Sequence, residues 1–483
     1  MAAKSPSSQA LYQPKIRFDV LHMPGLGRLL RWRWGRLIFQ APLLLLALLM
    51  IYDGLTGPQL APQNFATVAA WVHYRGLVIL ALLLAGDLFC MSCPVTLPRT
   101  LALRLSGRGR RWPKALRSKW LAIIALAAMF WAYEVFDLWA SPWLTAWVVI
   151  GYFVAAFALE AIFAESPFCK YICPLGTFNF VASTISPLQI TARSQDVCRS
   201  CVGKECVNGS AQVLGCGTEL FVPQIKSNLD CTFCLDCARA CPHDNVALAA
   251  RKPLVELSGS AWPRRWDVAF LALVFTFAAL GNAFGMVPPV YALEAKLSEW
   301  LGTGSEALIL LVIFGVTMLA LPAALAGGAA WLSRRLAGDR RKEPLRIVLA
   351  RYAPTVVPLG FGIWFAHYWF HFASGALTIV PVLQSFLLDH GIALLGAKPA
   401  WSLGAILPGD WLIVLELASV LIGFMASLVV LRRQATANTG DEHSANRVLL
   451  PWLVLLILLA VAAILIFMLP MEMRGTAMSG FTG

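Results

Sequence analysis

Twelve cysteines carry most of the chemistry open to this 483-residue chain, and eight of them lie between Cys198 and Cys241. The first run reads C-R-S-C-V-G-K-E-C from Cys198 to Cys206, and Cys216 follows after nine residues. The second reads C-T-F-C-L-D-C-A-R-A-C-P from Cys231 to Pro242. That C-x2-C-x2-C-x3-C-P spacing is one that ligates a [4Fe–4S] cubane. Four thiolates must reach four corners, so three closely spaced ones wrap one face and a distant one closes the last corner. Pro242 keeps the turn from continuing as a helix. Zinc would ask for two C-x2-C pairs and leave the triplet unexplained. Disulfides do not suit the reducing, cytoplasmic face to which the charge pattern assigns this segment.

The second run resembles the bacterial ferredoxins. In two-cluster ferredoxins the fourth cysteine of each run serves the other cluster. Carried over, that rule assigns Cys198, Cys201, Cys206 and Cys241 to one cluster, and Cys231, Cys234, Cys237 and Cys216 to the other. The first run departs from the pattern. Four residues separate Cys201 from Cys206, and Gly217, not proline, follows Cys216.

The remaining four cysteines form two pairs with matching neighbours, in G-D-L-F-C-M-S-C-P ending at Pro94 and E-S-P-F-C-K-Y-I-C-P ending at Pro174. Each pair closes a hairpin of apolar segments, so the two hairpins form an internal repeat. Cys90, Cys93, Cys169 and Cys173 suit a third cluster, transient binding of a soft metal, or dithiol redox chemistry. As small buried hydrophobes they would do no chemistry at all.

Membrane helices must position these pairs. The chain is 59% hydrophobic and 13% charged, against about 25% charged in soluble proteins. Nine apolar stretches approach the roughly 20 residues that cross a bilayer: about 37–51, 65–89, 120–139, 143–164, 266–286, 306–332, 346–373, 411–431 and 448–469. The net charge of +13 is gathered in alternate loops, with eight Lys/Arg and no acid in 99–119. Loops 287–305 and 374–410 hold one lysine each. By the positive-inside rule the N-terminus, the basic loops and the cysteine-rich insert face the cytoplasm, and the C-terminus lies outside. No nucleic-acid motif accompanies the charge, and no signal-peptide cleavage pattern precedes the first span.

The expected fold is an α-helical polytopic membrane protein of about nine transmembrane helices with a small bacterial-ferredoxin-like α+β cytoplasmic insert. Its parts are a basic cytoplasmic N-terminus (1–34), a four-helix membrane part bearing the twin Cys-Pro motifs (35–189), the two-cluster insert (190–252) and a five-helix membrane domain (253–483). The last contains an outer loop, 374–410, whose apolar stretch 376–396 reads as an interfacial or re-entrant helix, with a tenth span as the alternative.

Ionisable residues inside spans are functional candidates. His73 and Arg75 lie near the outer end of the second stretch, and Tyr133, Glu134 and Asp137 near that of the third. His367 and His371, four residues apart, share one helix face toward the outside. The three histidines are candidates for haem b ligation or for a quinone site in which imidazole takes and releases protons. Packing by interhelical hydrogen bonds is the alternative.

Tandem Cys-Pro motifs at helix ends, followed by a two-cluster segment, resemble the membrane polyferredoxin family over about residues 35–250. That family includes the quinol-oxidising subunit of periplasmic nitrate reductase systems, the nitrous-oxide reductase support protein and the cytochrome oxidase accessory protein. The first motif departs by having two residues between Cys90 and Cys93. The resemblance implies electron transfer in the bacterial cytoplasmic membrane between a quinone pool or an outer redox partner and the cytoplasmic clusters, as in a quinol-linked oxidoreductase component. The accessory-protein branch implies an alternative: an assembly factor that reduces or delivers a metal, such as copper, through the twin cysteine pairs. The thioethers of Met471 and Met473 are a weak outer-side hint of the same kind. Solute transport finds no paired broken helices to support it.

Overall fold

The computed structural model describes residues 16–98, 109–259, 261–337, 343–438 and 442–471. Part of the basic loop (99–108), Met473 and the C-terminal end lie outside the described residues.

Eight helices among the described residues are long and apolar enough to cross a membrane. They are Gly35–Thr56, Phe65–Leu84, Pro142–Ile162, Trp266–Phe284, Glu306–Leu336, Leu345–Asp389, Gly409–Asn438 and Glu442–Phe467. The expected count was nine. The third stretch forms a helix of only 16 residues, Trp120–Val135, about 24 Å long at 1.5 Å per residue. It ends early because the chain turns at Asp137, whose φ is +44°. The short helix nevertheless runs beside Trp266–Phe284 along its length. The Trp120 ring meets that of Trp266 at a tilt, centroids 5.5 Å apart, at one end, and Glu134 lies against Gly285 at the other.

The 376–396 stretch is not a tenth span. Its helix, Ile379–Asp389, has 11 residues and folds over the ends of the first two spans. Val382 packs with Phe65 and Val68, and the Tyr52 hydroxyl lies 3.0 Å from His390 Nε2. Backbone bonds Leu377 N–Gly404 O (2.9 Å) and Ile406 N–Ala373 O (2.8 Å) close the loop behind it.

The insert is built on two antiparallel strands, β1 (Leu188–Ala192) and β2 (Val246–Ala250), with Ile190 opposite Leu248. The N-terminal segment is part of this unit. Asp19 bridges to Ala249, its Oδ1 accepts from Leu248 N at 3.1 Å, and its Oδ2 accepts from Arg193 Nη2 at 2.7 Å. Leu21 and Leu30 are buried in the same apolar core as Ile190, Leu248, Phe233 and Cys237.

A buried ionic cluster joins insert to membrane part. Arg251 pairs with Glu256, their side chains 4% and 1% exposed. Arg251 also donates to the carbonyls of Thr184 (2.8 Å) and Ser186 (2.9 Å). Glu256 accepts from Asn228 N (3.0 Å), just before the second cysteine run. Removing one partner leaves a buried charge unpaired, which costs about 3–5 kcal/mol. Glu256→Ala is therefore expected to destabilise the insert by that order, read as faster proteolysis between residues 190 and 250 with the membrane helices still inserted. Wild-type resistance would show the cluster to be dispensable.

The C-terminal helices pack closely through small residues. Gly362 approaches Ser419 and Gly423 so tightly that a Cβ would meet backbone. Trp364, fully buried, donates Nε1 to Phe275 O at 2.9 Å.

Candidate functional site

The eight insert cysteines gather into two crossed groups. Cys198 sits in the helix Gln195–Ser200, and Cys201 terminates it. Cys206 sits in Glu205–Asn208, and Cys241 terminates Asp236–Ala240. These four line one cavity with Phe221, Val222 and Val246. Asn245 ties the distant partner in: its Nδ2 donates to Cys198 Sγ at 3.1 Å and its backbone N to Cys241 Sγ at 3.4 Å. Burial pushes the Cys198 thiol up, the Asn245 bond opposes this, and Cys241 and Cys201 add to the rise.

Cys231, Cys234 and Cys237 form the second group with Cys216. Burial raises the Cys237 thiol well above its usual range, and the neighbouring Cys234, Cys216 and Cys231 raise it further. The loop that wraps them is strained. Phe233 (φ +52°) and Leu235 (φ +62°), alternating with the cysteines, both take the left-handed conformation, which costs a side-chain-bearing residue roughly 1–2 kcal/mol. Such strain persists only where the surroundings fix it. Leu220 N donates to Cys216 Sγ at 3.3 Å, and Cys216 N bonds to Cys206 O (3.0 Å), holding the two groups together.

The donor set can be tested against what it would hold. All twelve cysteines are free thiols. Among the described residues, no group of three or more His, Cys, Asp or Glu side chains stands out as a metal site. Four soft thiolates lining one apolar pocket are nevertheless the donor set that a cubane takes.

The twin pairs converge from two hairpins. Cys90 lies in the helix Leu88–Ser92, which Cys93 ends. Cys169 lies in a π-turn, Phe168–Ile172, and Cys173 caps the helix Pro174–Ala182. The unequal motifs are reconciled by that turn. Cys173 N bonds to Phe168 O, five residues back, at 2.7 Å, so the wider coil absorbs the extra residue of the second motif. Asn179 Nδ2 reaches Cys90 Sγ at 3.5 Å, and Gly176 N donates to Cys173 Sγ at 3.2 Å. Burial raises the Cys173 thiol to about 12.

Above these pairs lies an intramembrane cavity that includes Trp71, Tyr74, Arg75, Tyr133, Phe178 and Tyr368 in its lining. Pro174 and Leu175, directly after Cys173, line its lower end. The Arg75 guanidinium stands over the rings of Tyr133 (4.9 Å), Trp71 and Tyr368 (both 5.4 Å). The Tyr74 hydroxyl is buried without a hydrogen-bond partner, and its ring meets Phe89, next to Cys90, at 4.6 Å.

The three candidate histidines differ. His73 faces carbonyl oxygens with both ring nitrogens, Val68 O at 3.1 Å and Ala376 O at 2.9 Å. Both ring nitrogens are therefore engaged within the protein, unlike those of His367. His367 and His371 are buried, with ring centroids 4.8 Å apart. Both nitrogens of His367 and Nε2 of His371 have no partner. Neither histidine lines the cavity, although the adjacent Tyr368 does. Glu416, in the helix Gly409–Asn438, was missed in the sequence reading. It is buried there with Oε1 unpartnered, and a carboxyl in so apolar a run was the available signal.

No family model matches this chain, and no solved structure matches it. Among curated proteins, an Escherichia coli (strain K12) protein named "Putative electron transport protein YccM" is 28% identical over 138 residues, 27% of this chain and 34% of that protein. The match thus spans about a third of that relative's length, and it is a similarity to a protein named for electron transport.

Proposed function

We propose that this chain is a multi-pass electron-transfer protein of the bacterial cytoplasmic membrane, with two [4Fe–4S] clusters in an insert facing the cytoplasm. The observation that carries the reading is the crossed grouping: Cys241 stands with Cys198, Cys201 and Cys206, while Cys216 stands with Cys231, Cys234 and Cys237. The similarity to a protein named for electron transport supports it.

A [4Fe–4S] cluster supplies one-electron exchange at a potential that its hydrogen bonds and exposure tune. The chain's own residues do the tuning. Asn245 donates to Cys198, and Leu220 N donates to Cys216. Each such donor stabilises the more negative, reduced state. The aromatic cavity beside Arg75 suits a flat apolar carrier from the quinone pool, its oxygen facing the guanidinium and its ring against Trp71 or Phe178. His367 and His371, with free nitrogens nearby, would move its protons. The partner on the cytoplasmic side is a soluble redox protein docking on the insert.

The test is anaerobic purification followed by iron and acid-labile sulfide assay. About eight irons from the insert, with matching sulfide, are expected for two cubanes. Protein that binds copper and holds no sulfide would overturn this reading in favour of metal delivery.

A further inference from the structure

We infer that Cys90, Cys93, Cys169 and Cys173 hold a third [4Fe–4S] centre, and that Arg36 stands between it and the centre at Cys216, Cys231, Cys234 and Cys237 as their shared positive charge. The inference rests on the proposed function for the second centre, and it adds a site and a positioning residue.

Arg36 is the second residue of the helix Gly35–Thr56. Its side chain is 17% exposed and fixed from two directions. Toward the twin pairs, Nε donates to Met91 O at 2.8 Å, between Cys90 and Cys93, and Nη2 donates to Thr96 Oγ1 at 2.9 Å. Toward the insert, Nη1 lies 3.5 Å from Asp236 Oδ2, between Cys234 and Cys237. Gln40, one turn on, donates to Cys93 O at 2.9 Å and to Thr96 Oγ1. The helix thus holds the Cys90–Cys93 turn with two side chains and presents the guanidinium to both cysteine groups.

Asn179, in the helix that Cys173 caps, reaches Cys90 Sγ, and Val95, two residues past Cys93, packs with Cys169 and Cys173. Two repeated hairpins thus bring four soft thiols together, the ligand set of a cubane. Transfer along this route is one electron leaving one centre and entering the other, with no bond broken and no proton moved. A fixed cation between the two favours the added electron on either, so neither becomes a deep trap. Arginine serves here because its charge persists when buried and its planar fork satisfies both neighbours.

The experiment uses the full-length protein, purified anaerobically, with iron assay and redox-titrated electron paramagnetic resonance. Wild type is expected to hold about twelve irons. Cys90→Ser with Cys173→Ser should fall to about eight, with both insert signals retained. Arg36→Gln should shift the midpoints of the two flanking centres downward and leave the Cys198 centre unmoved, whereas Arg36→Lys should restore most of the shift. A wild-type count of eight, unchanged in the double cysteine variant, would overturn the third centre while leaving the proposed function intact. Absence of iron altogether would overturn both. Unmoved midpoints in Arg36→Gln, or a uniform shift of all three, would remove Arg36 from its role. Because retained insert signals report a folded insert, loss of folding in these variants is distinguishable from loss of the site.

Discussion

Cys241→Ser is expected to abolish the cluster held with Cys198, Cys201 and Cys206 and to leave the cluster of Cys216, Cys231, Cys234 and Cys237 assembled. Sequence distance suggests the opposite, since Cys241 lies four residues after Cys237 and 35 after Cys206. The geometry explains the crossing. The helix Asp236–Ala240 begins beside one group and ends at the other, so its five residues carry Cys237 and Cys241 to different cavities. Asn245 then fastens Cys241 and Cys198 through one residue. Serine offers a hard oxygen where cluster iron prefers a soft thiolate. Cys241→Ser should therefore match Cys198→Ser, and combining them should add nothing, as for residues acting on one unit. Combining Cys241→Ser with Cys237→Ser should empty both insert clusters. A double variant that still keeps one insert cluster's signal would show that the two cysteines share a cluster and that the crossing is wrong.

What could be read from the sequence divides along physical lines. Cysteine type and spacing are local, so both insert runs and the twin pairs stand out in the sequence. Apolar length is equally local, which is why each of the eight spans was foreseen in place, although 346–373 stops 16 residues short of Leu345–Asp389 and 411–431 seven short of Gly409–Asn438. The Trp120–Val135 helix is shorter than the expected stretch 120–139 because the chain turns at Asp137. The role of residues 16–34 was not legible. Arg28, Arg31, Arg33 and Arg36 form a basic cluster of the kind that sets topology, and nothing local separates Arg36 from the rest. Its contacts at Met91 and Asp236 lie 55 and 200 residues away. The same holds for Asp19, whose bonds to Leu248 and Arg193 make the N-terminal segment part of the insert. The cavity beside Arg75 was invisible for the same reason, since its walls come from four separated stretches.

His367→Leu is expected to raise the thermal stability of the membrane part and to stop electron exchange with a short-chain quinol. His367 is fully buried with neither ring nitrogen bonded, and His371 Nε2, Glu416 Oε1 and Asn282 Oδ1 are also unpartnered. Helix register puts His367 and Glu416 at one depth. Gly362 packs on Ser419 and Gly423, and Gly423 on Pro358, so the two helices run in opposite directions. Five residues beyond Gly362, His367 comes level with Glu416. An unsatisfied buried polar group costs about 1–3 kcal/mol, and a leucine of similar volume removes it without leaving a large void. Natural chains retain such costs at functional sites, where stabilising replacements lose activity. A pair that served packing alone would be indifferent to the change in electron exchange. The variant should melt higher in detergent, keep its full iron content, and no longer take electrons from the quinol. Unaltered exchange in His367→Leu would remove this cluster of polar groups from the electron path and leave Arg75 and the aromatic cavity to act without it.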